Sequence, residues 1–509
     1  LRLEPIEMRL EVKAAIQGCT LINDAYSNDL ASLRLALQFA RQQAGKGKLT
    51  LILSDIFQSG MPGEALWREV AEAMRTQDVG RLFGIGTEIQ GIRNELPTRV
   101  DAHFYPDTDH FLQQITQHEF RQETILIKGA RAFAFERIAR RLEQKAHKTV
   151  LEVNLAALAH NLKAYQRCLQ PGVRIMVMVK AEGYGAGSAQ VAKLLEFHQV
   201  DYLGVAYADE GIVLREAGVN LPILVLNPEP NSFDAMARFR LEPEVYSLEL
   251  LEEIIQAAGD SPLAVHLKLD TGMHRLGFEP ADMPRLRDLL QKHSNLRVAS
   301  VFSHLAASDA AAHDDFTHRQ AATFLEMYAQ IASTLGYQPL RHICNTGGIE
   351  RWPDYHFDMV RLGIGLYGIG GEKMSGQLRV VNTLKATVSQ IKHLAEGETV
   401  GYNRNSGPLR QAGKIATISI GYADGFLRLA GGGRYRVMLR GQLVPTVGNI
   451  CMDMTMIDVS NLPEVRVGDE ATIFGEAPQV QSLATCLQTI PYEVFTNISD
   501  RVKRVYYSE

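Results

Sequence analysis

The chain has 509 residues, 46% hydrophobic and 22% charged, with a formal net charge of −5. That length exceeds a single domain and predicts two or three, and the slight acidity offers no basic patch for nucleic acid or an anionic membrane. No apolar run approaches the roughly 20 residues of a membrane span, and the first residues lack the charged-then-apolar order of a leader.

The five cysteines, Cys19, Cys168, Cys344, Cys451 and Cys486, are scattered without a CxxC pair. They read as reduced packing residues, with no disulfide framework and no metal site, in a cytoplasmic protein. The chain opens on Leu1 and runs directly into strand-like sequence, so it is expected to be a piece of a longer protein.

Residues 1–145 alternate strands and helices. Strands are predicted at 20–23, 49–54, 81–86 and 124–129, and helices at 32–42 and 64–74, with another holding Glu136 and Arg137. This is a small α/β module with a mostly parallel sheet. Its Asn23-Asp24-Ala25-Tyr26-Ser27-Asn28 and Ile127-Lys128-Gly129-Ala130-Arg131 segments, with Glu136-Arg137, resemble the C-terminal domain of the Mur ligases, in particular the muramoyl-tripeptide:D-alanyl-D-alanine ligase. A ligase that activates a carboxylate with ATP needs a phosphate cradle. No GxxxxGK[ST] occurs, since Ala44-Gly45-Lys46-Gly47-Lys48 lacks the first glycine and the hydroxyl residue. Asp24, Asn28 and Lys128 are therefore either remnants of a nucleotide site or turn and strand-end residues, and the second is expected of this chain.

A charged helix over 136–148 leads, without a Gly/Ser linker, into a second region. Between 149 and 375 strand patterns fall near 173–180, 202–206, 222–227, 241–247, 263–270, 298–305, 341–346 and 359–367, with helical patterns between them. Eight such units predict a (β/α)8 barrel, whose chemistry sits at the C-terminal strand ends. The first strand is apolar and runs out at Lys180, followed by Ala181-Glu182-Gly183-Tyr184-Gly185. A lysine there either caps the strand in water or, desolvated, becomes a nucleophilic amine.

Other strand ends add Lys268, Arg275, His304, Asn345, Thr346 and Arg361. Singly these are ordinary; on one barrel face they form a candidate site. Thr346-Gly347 and Gly363-Ile364 fall where barrels bind phosphate. Gly363, Gly365 and Gly368 match GxGxxG literally, but the segment is strand-like and no helix opens from it, so a dinucleotide fold is rejected.

From 376 to 509 short β-rich runs with glycine punctuation predict an all-β domain. It holds Gly421-Tyr422-Ala423-Asp424-Gly425, Cys451-Met452-Asp453-Met454 and Pro491-Tyr492. Tyr422 is either a turn aromatic or an acid/base group where water is scarce.

A barrel with lysine at its first strand end, then a β domain with GYADG and CMDM motifs, resembles the alanine racemases over residues 149–509. The resemblance implies pyridoxal 5'-phosphate (PLP) held covalently on Lys180 and a homodimer with shared active sites, in which Lys180 and the partner's Tyr422 are the two bases of racemisation. It implies that Arg361 faces the coenzyme ring nitrogen, that Tyr184, Thr346, Gly363, Ile364 and Tyr492 hold the phosphate, and that His304 and Asn345 support the ring. It implies that Arg275, oriented by Lys268, a lysine that is carbamylated in many relatives, positions the substrate carboxylate, and that Met452 and Asp453 complete the pocket.

Glu182 and Ala186 depart from the family's usual Asn and His. Alanine is the expected substrate, although racemases for serine and other amino acids, and a decarboxylase, share this architecture. The whole chain then resembles a truncated ligase/racemase fusion serving peptidoglycan synthesis, the first module being either a partial ligase or a structural appendage.

Overall fold

The computed structural model describes residues 11–24, 29–45, 47–57, 61–115, 118–142 and 149–508, and the chain divides into two units, 1–146 and 147–509. In the first unit the strands are β1 (Glu11–Ala14), β2 (Thr20–Asp24), β3 (Lys48–Ser54), β4 (Arg81–Ile85), β5 (Asp101–Tyr105) and β6 (Glu123–Lys128). They form one sheet in the order β1-β2-β6-β3-β4-β5, parallel except at the β1–β2 edge.

Alternation within each strand explains the layers. Leu51, Leu53 and Leu126 face helices Leu30–Ala44 and Gly63–Thr76, whereas Ile52, Ile125 and Ile127 face Phe111, Phe135 and Ile138 on the other side. The predicted strands and helices are present. The two edge strands β1 and β5 escaped the sequence reading because a half-solvated edge such as Asp101–Tyr105 carries polar residues and little apolar pattern. Asn28 and Lys46 lie outside the described residues, and the helix expected over 136–148 is described from Glu136 to Leu142.

The second unit holds two sheets. The first comprises β8 (Arg174–Met178), β9 (Tyr202–Val205), β10 (Ile223–Val225), β11 (Glu242–Val245), β12 (Leu263–Lys268), β13 (Leu296–Phe302), β14 (Leu340–His342) and β15 (Met359–Leu362), preceded in the chain by β7 (Val150–Asn154). Neighbours from β8 to β14 pair in parallel and β15 returns beside β8. Backbone bonds from Asp358 N to Arg341 O (3.2 Å) and from Arg361 N to Cys344 O (2.9 Å) tie the β14 segment to β15 and close the barrel. The strand reading of 364–369 is corrected: β15 stops at Leu362, and Ile364–Tyr367 is a 3-10 turn ended by left-handed Gly368. That tight turn needs Gly365, where a Cβ would stand 2.5 Å from the Tyr165 ring.

The second sheet comprises β16 (Asn382–Leu394), β17 (Gly413–Ile418), β18 (Arg436–Leu439), β19 (Gln442–Val447), β20 (Thr455–Asp458), β21 (Glu470–Phe474) and β22 (Lys503–Tyr507), together with β7. β7 pairs antiparallel with β16 and parallel with β22, so a strand that precedes the barrel in sequence completes the sheet that follows it. Two short helices, Val480–Cys486 and Pro491–Thr496, punctuate this domain; the second carries Tyr492.

In the first unit, Asp24 and Lys128 end adjacent parallel strands in register and form a buried ion pair of 2.6 Å. Removing one partner strands the other charge. Lys128→Met is expected to lower the stability of this unit by about 3–5 kcal/mol, read by chemical denaturation.

Candidate active site

Apolar β8 leads Lys180 to the barrel lip, with Ile175, Met176 and Val177 buried and the strand ending at Met178. Beyond Lys180 the backbone enters a left-handed turn: Ala181, Glu182, Gly183, Tyr184 and Gly185 have φ of +50, +53, +59, +54 and +76°. A non-glycine residue in this region costs roughly 1–2 kcal/mol, so the turn must be anchored. Gly183 N donates to Val179 O (2.9 Å), Gly185 N to Ala181 O (2.9 Å) and Gly187 N to Glu182 O (2.8 Å). Glu210 adds the lateral tie, its two carboxylate oxygens accepting from Ala181 N and Ala206 N at 2.6 Å each. The turn buries Tyr184 with its ring 4.9 Å from that of Tyr367 and 6.0 Å from that of Tyr492.

Burial lowers the Lys180 pKa, and the charges of Arg275 and Lys268 lower it further against the pull of Glu210 and Glu244. The Glu182 carboxylate accepts from Ser188 Oγ at 3.4 Å. Lys268 Nζ lies 2.9 Å from Glu244 Oε1, and burial pushes that carboxyl up against the opposing pull of Lys268. Arg275 is exposed on the loop after β12, yet its charge acts on Lys180, Glu244, His304 and Arg361.

Arg361, on β15, is 5% exposed. Its Nη1 donates to His342 Nδ1 (2.7 Å) and His342 O (3.0 Å), and its Nη2 to Ser303 O (2.7 Å), Ile343 O (3.2 Å) and His304 Nδ1 (3.4 Å). Its guanidinium also lies 5.2 Å from the centre of the Phe302 ring. Burial lowers its pKa to about 10. His304 is pushed to about 3 by burial and by the cations Arg361, Arg275, Lys268 and Lys180, so it is neutral at any working pH.

On the adjoining lip, Thr346 Oγ1 accepts from Gly363 N (3.1 Å) and Gly365 N (3.4 Å). A Cβ on Gly363 would stand 3.0 Å from Tyr184 Oη, so only glycine leaves this hollow open. Ile364 opens the turn beyond it. Asn345 caps the helix Thr346–Arg351, its Oδ1 accepting from Gly348 N (2.9 Å) and Ser308 Oγ (2.7 Å).

Tyr422, Met452 and Asp453 form a second group on the β domain. Tyr422 N donates to Cys451 O (3.0 Å) and Ala423 N to Met452 O (3.0 Å), a crossing so close that a Cβ on Gly421 would meet the Met452 and Cys451 carbonyls at 2.2 and 2.3 Å. Arg501 bridges Asp424 and Asp453 at 2.7 Å each. Tyr422 is 36% and Met452 53% exposed, beside exposed Tyr402 and Met454. Within one chain, among the described residues, these hydrogen bonds and ion pairs join the group to its own β-domain neighbours and not to the lip.

The structure thus gathers Lys180, Lys268, Arg275, His304 and Arg361 into one charge cluster, places Tyr184, Thr346, Gly363 and Tyr492 beside it, and sets Tyr422, Met452 and Asp453 apart. Sequence reasoning missed Glu210, Glu244 and His342. None of the three stands out locally: β11 is Glu-Pro-Glu-Val and β14 is Leu-Arg-His, so Glu244 and His342 have charged or polar neighbours in their own strands, and Glu210 sits near the start of a helix. Among the described residues no group of three ligand-type side chains is placed to hold a metal, and no helix is long and apolar enough to cross a membrane.

Residues 153–370 match the family model "Alanine racemase, N-terminal domain" and residues 381–506 match "Alanine racemase, C-terminal domain". The chain is 35% identical over 367 residues to alanine racemase 1 of Clostridium acetobutylicum, covering 70% of this chain and 94% of that protein. It is 36% identical over 363 residues to alanine racemase of Desulfovibrio desulfuricans, covering 70% and 97%. Among solved structures it resembles alanine racemase of Clostridium difficile 630 (34% identity, TM-score 0.68, 72% of this chain and 97% of that one) and the complex of that protein with cycloserine (33%, TM-score 0.66, 72% and 97%).

With burial and the charge of Arg361 acting on it first, His304 is expected to show no titration between about pH 5 and 8 when followed by histidine NMR across that range; a midpoint inside it contradicts the cluster.

Proposed function

This chain belongs to the alanine racemase family, whose members are PLP-dependent racemases, and from that premise we propose that it interconverts L- and D-alanine with Lys180 and Tyr422 as two opposed bases. The lip fits the coenzyme. Lys180 offers an amine of lowered basicity, Arg361 a fixed donor for a ring nitrogen, and Tyr184 and Thr346 hydroxyls surround the hollow at Gly363. In this reading Lys180 holds PLP covalently, Arg361 faces its ring nitrogen, His304 and Asn345 support the ring and its surroundings, and Tyr184, Thr346, Gly363, Ile364 and Tyr492 hold the phosphate. Once bound, PLP withdraws electrons from the α-carbon bond that is to break.

To accept a proton at Nζ, Lys180 must be neutral, and its burial among cations favours that form. A proton returned to the face it left regenerates the same enantiomer, so inversion needs a second carrier opposite. Tyr422 stands exposed with Met452 and Asp453 beside apolar Tyr402 and Met454, which supports a homodimer in which Tyr422 of the partner subunit enters this lip. Met452 and Asp453 then complete the pocket from that side, and Arg275, with Lys268 held by Glu244, orients the substrate carboxylate. Arg361 has a further effect: its permanent cation makes protonation of the ring nitrogen costly, which weakens electron withdrawal and restrains side reactions. The observation that carries the reading is the buried lip on which Lys180, Arg361 and His304 meet with all three pKa values lowered.

Domains at 1–145, 149–375 and 376–509 follow from the same reading, with β7 of the second lent to the sheet of the third, in a cytoplasmic enzyme supplying D-alanine for peptidoglycan. For the first domain we propose a relationship to the Mur ligase C-terminal domain. It is supported by a parallel sheet whose strand ends present Asp24 and Lys128. Without a phosphate cradle it is not expected to hold ATP alone; calorimetric nucleotide binding by this chain would contradict that.

Tyr422→Phe is expected to cut racemisation by about 10²–10⁴-fold while the protein stays yellow and still exchanges the α-proton of one enantiomer with deuterium from solvent. Lys180→Ala is expected to lose both colour and turnover. Undiminished D-alanine formation by Tyr422→Phe sinks the two-base assignment, and carbon dioxide release in place of D-alanine marks a decarboxylase.

A further inference from the structure

Arg361 is not the end of its own hydrogen-bond network. Behind it, four side chains on successive barrel strands continue the line: His342 on β14, Ser300 on β13, His266 on β12 and Glu242 on β11. His342 Nε2 lies 2.8 Å from Ser300 Oγ, Ser300 Oγ lies 2.6 Å from His266 Nδ1, and His266 Nε2 lies 2.7 Å from Glu242 Oε2. His342, Ser300 and His266 are fully buried, and the Glu242 side chain is 18% exposed.

With both imidazoles neutral, the two ends dictate the direction of every proton between them. A guanidinium can only donate, so His342 Nδ1 must be a bare acceptor, and the neutral ring then carries its proton on Nε2. That proton goes to Ser300 Oγ, whose own hydrogen is left for His266 Nδ1, and His266 donates from Nε2 to Glu242. A carboxylate can only accept, so the far end demands the same orientation as the near end. Burial opposes the charge on Glu242, but bonds from His266 and Tyr202 and the charge of Arg297 outweigh it and hold its carboxyl below the usual range. Burial and the charge of Arg361 hold His342 neutral. Five residues on five adjacent strands thus have one self-consistent arrangement, and Arg361, which has no carboxylate among its hydrogen-bond partners, is connected to one through it.

We propose that His342, Ser300, His266 and Glu242 are positioning residues for the reaction, a one-way hydrogen-bond chain that holds His342 as an acceptor and so fixes the aim of Arg361. The proposal rests on the reading of Arg361 as the cation facing the coenzyme ring. The chain differs from a merely structural polar belt in one respect: cutting it at a distance should change what the coenzyme senses. Ser300 is the place to cut, because its hydroxyl both accepts and donates and its loss leaves little empty volume.

Ser300→Ala is expected to shift the visible absorbance band of the bound coenzyme and to lower kcat about tenfold, the effect of one weakened buried hydrogen bond, with KM for alanine little changed. Ser300→Thr, which keeps the hydroxyl, is expected to restore both. In the wild-type protein, nitrogen-15 histidine NMR is expected to find His342 and His266 protonated on Nε2 alone, and thermal unfolding checks that the variants fold. A His266 protonated on Nδ1 overturns the chain. A Ser300→Ala protein with unaltered absorbance and kcat overturns its role while leaving the reading of Arg361 in place. An Arg361→Lys protein whose coenzyme band does not move overturns that reading itself, and the proposal with it.

Discussion

A guanidinium buried in the barrel with no carboxylate among its hydrogen-bond partners in the described residues is costly to hold, and much of the catalytic face is arranged around it. Desolvation of a full charge costs several kcal/mol unless partners replace the lost water. Arg361 finds them in three backbone carbonyls and two imidazole nitrogens, none of which bears charge. Its uncancelled field then helps keep His304 and His342 neutral and adds to the cationic character of the lip on which Lys180 stands. The nearby acids are disposed accordingly: Glu244 holds Lys268, and Glu210 is spent on backbone amides of the left-handed turn. A net positive, poorly solvated lip favours a neutral lysine and suits a ligand that brings phosphate and carboxylate charges of its own.

The turn after Lys180 shows how backbone strain is used. Five left-handed residues in succession are unfavourable in isolation, yet in this fold the amides of Ala181, Gly183 and Gly185 are satisfied by Glu210, Val179 and Ala181. The result is abrupt. The chain leaves the strand at Lys180 and, within four residues, brings Tyr184 back against the same lip beside Gly363. On the proposed reading this one device places the covalent attachment point and a phosphate ligand at a fixed separation. The complementary group on the β domain is held with equal firmness, by the crossing of the Gly421 and Met452 backbones, but its side chains are left facing outward. Rigid backbone beneath exposed tyrosine and methionine is what a shared site between two copies requires.

Regular elements and lip residues were legible to different degrees. Barrel strands such as Arg174–Met178 and Ile223–Val225 were readable because parallel strands buried on both faces are nearly continuous apolar runs, whereas β11 (Glu-Pro-Glu-Val) and β14 (Leu-Arg-His) were placed by their spacing between helical patterns. Segment 364–369 was misread as strand because its apolar residues match the pattern of one, whereas Gly363, Gly365 and Gly368 make it a tight turn. β5 was missed for the opposite reason, an edge strand too polar to register. Glu210 could not have been singled out, since an acid near a helix start has an ordinary local role and only folding brings it to the end of β8.

Sequence alone determined the barrel, the β-rich character of the C-terminal region and the short motifs carrying lysine, arginine, histidine and tyrosine, because hydrophobic period and glycine placement are local properties. Tertiary structure alone decided the rest. β7 crosses to the sheet beyond the barrel, Glu182 accepts from Ser188 while Glu210 and Glu244 act on Lys180, and Arg361, His342, Ser300, His266 and Glu242 fall into one line. Those outcomes depend on strand order and register, which bring Lys503 beside Val150, 353 positions away, and string a line of side chains from Glu242 to Arg361. No local pattern encodes that distance.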